Sequence, residues 1–325
     1  MKVDAENYRL FWWYISERSR IWHKRVELQQ PAPWTEDQIL QRYKFTNVFR
    51  ELDRLTLYYI ENVVSHIKDS GDRETIEKEV LLNTLIYRLY VKIPTWEMIG
   101  YLKLETFDSQ WEKAKKTIKK ADAKGYKVFT NAFFVNPMRY INPTVTDESI
   151  GEIVTSKVDN SFYAIEYWKE HLDEIYNNVK NSRDMQECLE YLFEIPAIGR
   201  FFAYEIACDL TYAKTFYKVD MVSFDINSYT NVGPGAKVGL DRIFPDRERT
   251  PYIDLIFWLY NNYEREMKKF GFKVYYPKKF KKLNLRSIEH SLCEFGKYCK
   301  ALYDGKHLRA KFDYDSFSPA DELIL

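Results

Sequence analysis

Asn47, Arg50, Asp53 and Arg54 recur at i, i+3, i+6 and i+7, and His290, Glu294 and Lys297 recur at i, i+4 and i+7. On helices, each set would lie roughly along one face. The first set offers the planar bidentate donor of arginine for a phosphate or pyrophosphate, and an amide able to read a pyrimidine edge. The second joins an acid to two potential donors, a combination suited to acid–base or anion-binding work. An internal salt-bridge network also accounts for the first set, and a surface pair for His290 and Glu294. No third ligand accompanies that pair, so no metal is expected there.

A third candidate is the segment Leu189 to Leu210, LEYLFEIPAIGRFFAYEIACDL, in which Pro196 and Gly199 separate two apolar-periodic stretches. The turn between two such helices must be tight. It leaves the first amides of the second helix pointing outward with the positive end of the helix dipole, which suits a phosphate held at Ile198, Gly199 and Arg200. An ordinary buried αα-hairpin has the same pattern. Gly233-Pro234-Gly235 with Lys237 offers another close backbone approach to a ligand, although two glycines and a proline also make a common turn.

The elements that must position these groups read as helices. Apolar residues recur at helical intervals from Tyr8 to Lys24, before a break at Gln29-Gln30-Pro31-Ala32-Pro33. Thr35 is the expected N-cap of a second helix through Ile39, Leu40 and Tyr43, and helix is expected again from Val48 to Ile67. Glu74 to Tyr90 is apolar over most of its circumference, as in a central helix, and Pro94 ends it. Further helices are expected over Trp96 to Leu104, Phe107 to Lys124, Ser161 to Val179, Met185 to Phe193, Phe202 to Leu210, Tyr252 to Phe270 and Leu285 to Tyr303. Tyr126 to Ser149 reads as irregular with a short strand, and the stretch around Gly233-Pro234-Gly235 as a loop. The fold class is therefore mainly α, with little or no β. One helical unit is expected over 1–310, open to division into lobes of about 1–125 and 160–310 around a cleft, with 311–325 as a C-terminal tail.

At 325 residues, 46% of them apolar, the chain can bury a substantial core, and 26 Tyr, 21 Phe and 8 Trp exceed what a core of this size requires. Some rings should therefore serve a surface. The net charge of +1 excludes a global basic footprint, so any electrostatic recognition must be local. Cys188, Cys208, Cys293 and Cys299 match no zinc pattern and read as reduced thiols. No apolar stretch is long enough to span a membrane and no secretion signal opens the chain, so the expected location is the cytoplasm of a bacterial or phage-infected cell.

The hairpin resembles that of the helix-hairpin-helix DNA glycosylases, in which a Leu-Pro-x-Ile/Val-Gly turn precedes a catalytic Asp by about twenty residues. Asp220 and Asp225 lie 21 and 26 residues after Gly199, and a carboxylate there would stabilise oxocarbenium character on the sugar or orient water. Either is also an ordinary cap or turn residue. Phe201 stands where the bifunctional enzymes carry lysine, which argues against Schiff-base chemistry.

Three further stretches resemble one family in order and character. They are Pro33-Trp34-Thr35 with Phe45-Thr46-Asn47-Val48-Phe49-Arg50-Glu51-Leu52-Asp53-Arg54, Gly233-Pro234-Gly235-Ala236 with Gly239, and Glu289-His290-Ser291-Leu292-Cys293-Glu294-Phe295-Gly296-Lys297-Tyr298. The family is that of the α-glutamyl/putrescinyl thymine pyrophosphorylases, which includes the helical domain found with 5-hydroxymethyluridine DNA kinases. The resemblance runs from about residue 10 to 310. It implies a DNA-glycosylase-like helical fold working on hypermodified pyrimidines of phage DNA. Trp34, Asn47, Arg50, Asp53, Arg54, His290, Glu294 and Lys297 would form the base pocket, and Ile198, Gly199, Arg200, Gly233, Gly235 and Lys237 would contact the DNA backbone.

Three functions follow as expectations. The first is a monofunctional DNA glycosylase that flips and excises a modified pyrimidine, such as glucosylated hydroxymethylcytosine, leaving an abasic site in defence against phage. The second is a transferase that joins an amino acid or amine to pyrophosphorylated 5-hydroxymethyluracil in phage DNA. The third is a non-catalytic modified-DNA binding protein. The absence of a GxxxxGK[ST] motif and the hairpin-to-Asp spacing favour the first. The expected partner is double-stranded DNA carrying modified pyrimidines, with no cofactor, no membrane and no obligate protein partner.

Overall fold

The computed structural model describes residues 3–130 and 156–314. The irregular stretch expected up to Ser149 lies outside the described residues from 131 onward, as does the tail from 315. The fold is mainly α: among the described residues, backbone pairing of the β type is confined to one isolated antiparallel bridge between Tyr43 and Lys311.

Two compact units divide the chain, Met1–Leu57 with Tyr229–Leu325, and Tyr58–Ser228. The first begins with α1 (Ala5–Trp22), whose N-cap Asp4 accepts from the Asn7 amide at 2.9 Å and whose end runs on into a π-turn, His23–Glu27. Next come α2 (Gln38–Arg42) and α3 (Arg54–Asn62), the latter crossing into the second unit. Asp37 caps α2, not Thr35: its carboxylate accepts from the Leu40 amide at 2.7 Å, while Thr35 Oγ1 accepts only from the Asp37 amide.

The second unit is organised on α4 (Arg73–Tyr90), where every residue from Glu79 to Tyr90 is buried, as its apolar circumference requires. Around it lie α5 (Ile93–Ile99), α6 (Phe107–Ala123), α7 (Lys157–Glu170), α8 (Leu172–Asn181), α9 (Met185–Glu194), α10 (Arg200–Leu210) and α11 (Tyr212–Tyr217). Inside this unit Arg88 of α4 is buried against two carboxylates of α10. Its Nη2 donates to Asp209 Oδ1 at 2.6 Å, its Nε to Asp209 Oδ2, and its Nη1 lies 3.1 Å from Glu205.

The first unit closes with α12 (Pro234–Ile243), α13 (Tyr252–Phe270) and α14 (Leu285–Leu302). The loop expected at Gly233-Pro234-Gly235 is in fact the start of α12, with Gly233 as N-cap and Pro234 in the first turn, where its missing amide costs nothing. The glycines serve close helix packing. A Cβ at Gly235 would run into Cys293 Sγ, and one at Gly239 into the Leu292 carbonyl oxygen, so α12 and α14 approach at backbone distance. Phe11, Trp12, Leu240, Leu259, Ile288 and Phe295 lie in the core of this unit.

Candidate functional site

The residues from Phe45 to Arg54 do not form the helical face that their spacing suggested. Thr46 to Phe49 are loop, Arg50–Leu52 is a single 3₁₀ turn, Asp53 is extended and only at Arg54 does α3 begin. The physical reason is local hydrogen bonding. Asp53 Oδ1 accepts from the Asn47 amide at 3.1 Å while Oδ2 takes Arg50 Nη1, and Asn47 Nδ2 donates to the Leu52 carbonyl at 3.1 Å, which folds the segment back on itself. Asn47, Arg50 and Asp53 thus meet through a loop, while Arg54 is exposed at the start of α3. Burial pushes the Asp53 carboxyl above its ordinary value, against the opposing pull of Arg50.

His290, Glu294 and Lys297 do share one face of α14, and that face holds the loop. Glu294 Oε2 accepts from the Thr46 amide at 3.0 Å and from Lys297 Nζ at 3.2 Å. His290 Nε2 hydrogen-bonds the Thr46 hydroxyl, and Lys297 Nζ donates to the Lys44 carbonyl at 2.7 Å. Every member of the triad therefore has a partner in the Lys44–Thr46 strand of the loop. Among the described residues no group of three or more His, Cys, Asp or Glu is arranged to hold a metal ion.

On the other side of the loop lies a pocket that sequence reasoning missed except for Trp34. Its free volume is only about 20 Å³, room for about one water molecule, so it is a narrow crevice and not a cavity of ligand size. Its walls are Trp34, Tyr43, Phe45, Phe312 and Tyr314, with Arg18, Arg25, Thr35 and Gln41 supplying the polar groups. Trp34 stacks on Tyr314 with centroids 5.8 Å apart and rings 22° from parallel, and the Arg25 guanidinium lies 5.8 Å from the rings of both Trp34 and Phe312. The wall from the C-terminal side is fixed by main chain: the Lys44 amide donates to the Ala310 carbonyl and the Phe312 amide to the Arg42 carbonyl, both at 3.0 Å.

Arg18 is the unusual member. It is 5% exposed, and its Nη2 donates to two neutral acceptors, the Phe45 carbonyl at 3.0 Å and Asn47 Oδ1 at 2.8 Å. Its Nη1 is buried with no hydrogen-bond partner among the described residues. Arg18 and Arg25 bring two guanidinium groups to the lining, and the Arg18 charge also acts on the Asp53 carboxyl behind the loop. A buried donor left unanswered is costly, and an anionic ligand at Arg18 Nη1 would relieve that cost. The signal available in the sequence was the spacing of Arg18 and Arg25, seven residues apart in an aromatic-rich helix. The π-turn that carries Arg25 is a local feature often found at functional sites.

The hairpin belongs to the second unit and has the expected form. Ala197 turns the chain with a φ of 67°, Ile195 and Ile198 are buried, Trp168 Nε1 donates to the Pro196 carbonyl at 3.1 Å, and Gly199 is the N-cap of α10. Arg200 forms a two-pronged ion pair with Glu190 at 2.5 and 3.0 Å, and Phe201 is exposed. Asp220 pairs with Lys214 at 2.6 Å on the surface, and Asp225 caps a turn by accepting from the Asn227 amide at 2.6 Å. Gly233 and Gly235 serve the start of α12, and Lys237 is exposed, 5.6 Å from the Tyr252 ring. No helix of the described residues is long and apolar enough to cross a membrane.

Comparisons with known proteins agree with this architecture and correct one expectation. Residues 5–307 match the family described as "5-hmdU DNA kinase, helical domain", where 5-hmdU is 5-hydroxymethyldeoxyuridine. A protein of Bacillus phage SP10 named 5-hmdU DNA kinase is 37% identical over 305 residues, covering 92% of this chain and 46% of the relative. The chain therefore spans about half the length of that curated relative. No solved structure matches it. The relative's name is that of a kinase, a transferase, and so overturns the expectation of a monofunctional DNA glycosylase and of hydrolase chemistry. The oxocarbenium-stabilising role considered for Asp220 and Asp225 falls with that reaction. With a match over nearly its whole length, the chain belongs to the 5-hmdU DNA kinase helical-domain family.

Proposed function

We propose that the chain is a DNA-modifying transferase module that receives a 5-hydroxymethyl-pyrimidine nucleotide of DNA at the Trp34 crevice, with the hydroxymethyl oxygen carrying phosphate or pyrophosphate. The crevice must widen by movement of its aromatic walls to admit the base. Arg18 carries the reading: a buried guanidinium with an unpartnered Nη1 at an aromatic-walled crevice suits a small anion attached to a planar ring. Trp34 and Tyr314, stacked on each other here, would part to give the stacking surface that a flipped base requires. Asn47, held by Arg18, Asp53 and the Leu52 carbonyl, sets the position of Arg18, and His290, Glu294 and Lys297 are positioning residues that clamp the loop. The hairpin at Ile198, Gly199 and Arg200 serves as a backbone contact.

In the reaction, an amine forms an N–C bond to the 5-methylene carbon while the C–O bond to the phosphate group breaks. The phosphate or pyrophosphate departs with that electron pair onto Arg18 and Arg25, and the amine releases one proton to solvent. The test incubates the full chain with duplexes containing thymidine, 5-hydroxymethyldeoxyuridine or its pyrophosphorylated form, plus glutamate or putrescine, followed by nucleoside mass spectrometry. The expected result is a mass gain of the amine, with release of pyrophosphate, in the pyrophosphorylated duplex alone, and its loss in Arg18→Met. A gain undiminished by Arg18→Met overturns the pocket assignment, and selective binding without any gain overturns the transfer step.

A further inference from the structure

A chain whose charges sum to +1 cannot hold DNA by overall attraction, and one segment departs from that balance. From Lys268 to Lys282 there are seven lysines, at 268, 269, 273, 278, 279, 281 and 282, and no Asp or Glu occurs from Met267 to Ile288. Subtracting those seven charges from the total of +1 leaves the rest of the chain at −6. All seven lysines are exposed.

The segment is not a loose polycationic run. Ser16 Oγ donates to the Lys273 carbonyl at 2.7 Å and Ser19 Oγ accepts from the Tyr275 amide at 3.1 Å, pinning the chain to α1. Several of its apolar residues anchor it to the core, while Lys269 and Lys273 lie over the rings of Phe270 and Tyr275 at 5.2 and 5.0 Å and Lys269 also pairs with Glu266 at 3.7 Å. Phe280 stacks on Phe49 at 5.5 Å, Tyr276 packs edge-on against Phe49 at 5.9 Å, Phe270 meets Tyr8 at 5.9 Å and Val274 is buried. The Phe280 amide closes a turn on the Pro277 carbonyl at 2.9 Å that carries Lys278 and Lys279, and Lys281 and Lys282 follow directly after it. The core-anchored residues between the exposed lysines hold the cations on an ordered backbone. Fewer degrees of freedom are then lost on binding than a solvated tail would lose.

We infer that Lys268 to Lys282 is the DNA-backbone footprint of this chain, taking the phosphates of a duplex with no regard to base. The inference rests on the DNA reading above and names the surface that supplies its affinity. Contacts from lysine to phosphate release condensed counterions, so affinity must fall with salt by about 0.9 decades per decade of salt for each phosphate neutralised. The salt-dependent part of binding by a chain of net charge +1 would then come chiefly from this stretch, beside the backbone contact at the hairpin and distinct from the pocket that selects the base.

The experiment measures the affinity of the full chain for a plain, unmodified 20-base-pair duplex by fluorescence anisotropy between about 50 and 200 mM NaCl. The variants replace Lys278, Lys279, Lys281 and Lys282 together, once by glutamine and once by arginine. The glutamine variant is expected to lose about three to four units of the log–log salt slope, from four contacts at about 0.9 each. The arginine variant should keep the slope. An unchanged slope in the glutamine variant overturns the inference while leaving the pocket reading intact, as does equal loss in both variants. The pocket reading fails separately if the wild-type chain shows full lysine dependence yet binds modified and plain duplexes equally. Stronger, lysine-dependent binding to single-stranded RNA than to the duplex would also overturn the assignment to DNA.

Discussion

Two buried arginines, one in each unit, differ in what surrounds them. Arg88 is 4% exposed and is gripped by Asp209 and Glu205, so its charge is answered inside the fold. Arg18 is 5% exposed, has only a carbonyl and an amide oxygen on one nitrogen, and leaves the other without a partner among the described residues at the wall of a pocket. Burial alone therefore does not distinguish a structural arginine from one that awaits a ligand. Whether every donor is answered does.

The largest expected effect breaks the satisfied arginine. Asp209→Ala leaves Arg88 buried with half its partners gone and should cost about 3–5 kcal/mol of stability, read as a shift of the urea midpoint. Arg18→Met removes a charge whose hydrogen bonds run to two neutral acceptors, so the loss should be smaller, about 1–3 kcal/mol in the same measurement. If the two losses were equal, the contrast between the arginines would collapse. A ligand sharpens it further. Inorganic pyrophosphate should raise the melting temperature of the wild-type chain and of Glu205→Gln but not that of Arg18→Met, because stabilisation by a ligand follows its occupancy of the native state. Arg200→Ala, which removes an exposed pair with Glu190, should change stability by less than about 1 kcal/mol and leave the pyrophosphate response intact.

The smallest effect concerns thiols. Burial pushes Cys293, beside the loop-bearing face of α14, up to about 11, and Cys188 in the second unit up to about 12. Raised thiol values mean scarce thiolate at neutral pH, so alkylation by iodoacetamide at pH 7.5 should be slow at both. It should rise about tenfold per pH unit below those values, with Cys293, the less buried, labelling first. Rapid labelling of Cys293 at pH 7.5 would show that α14 opens away from α12.

Helices governed by apolar period were legible in the sequence. The central helix α4, the hairpin of α9 and α10 and the common face of His290, Glu294 and Lys297 follow from spacing, because a 3.6-residue repeat is a direct image of which side is buried. The loop from Phe45 to Asp53 was not legible. Helical spacing of Asn47, Arg50 and Asp53 is the same string of residues that, through side-chain bonds to the backbone, folds into a turn. The start of α12 was read as a loop because Gly-Pro-Gly signals a turn locally, whereas the glycines answer to Cys293 and Leu292, more than fifty residues away. The pocket needs Phe312 and Tyr314 to come back beside Tyr43, a pairing that no local pattern reports. The glycosylase expectation came from a real hairpin attached to the wrong chemistry, since a turn that can hold a phosphate says nothing about which bond is broken.

The most direct test of the central claim is the ratio of dissociation constants for duplexes that differ only at one base, phosphorylated 5-hydroxymethyluracil against thymine, measured with the wild-type chain and with Arg18→Met at fixed salt. A charge-assisted pair to a buried arginine contributes about 1.5–3 kcal/mol, so the wild-type chain should prefer the phosphorylated base by about ten- to hundredfold. Arg18→Met should bring the ratio to near one while leaving thymine-duplex affinity in place. An equal ratio in both proteins would contradict the assignment of Arg18 as the group that reads the modified base.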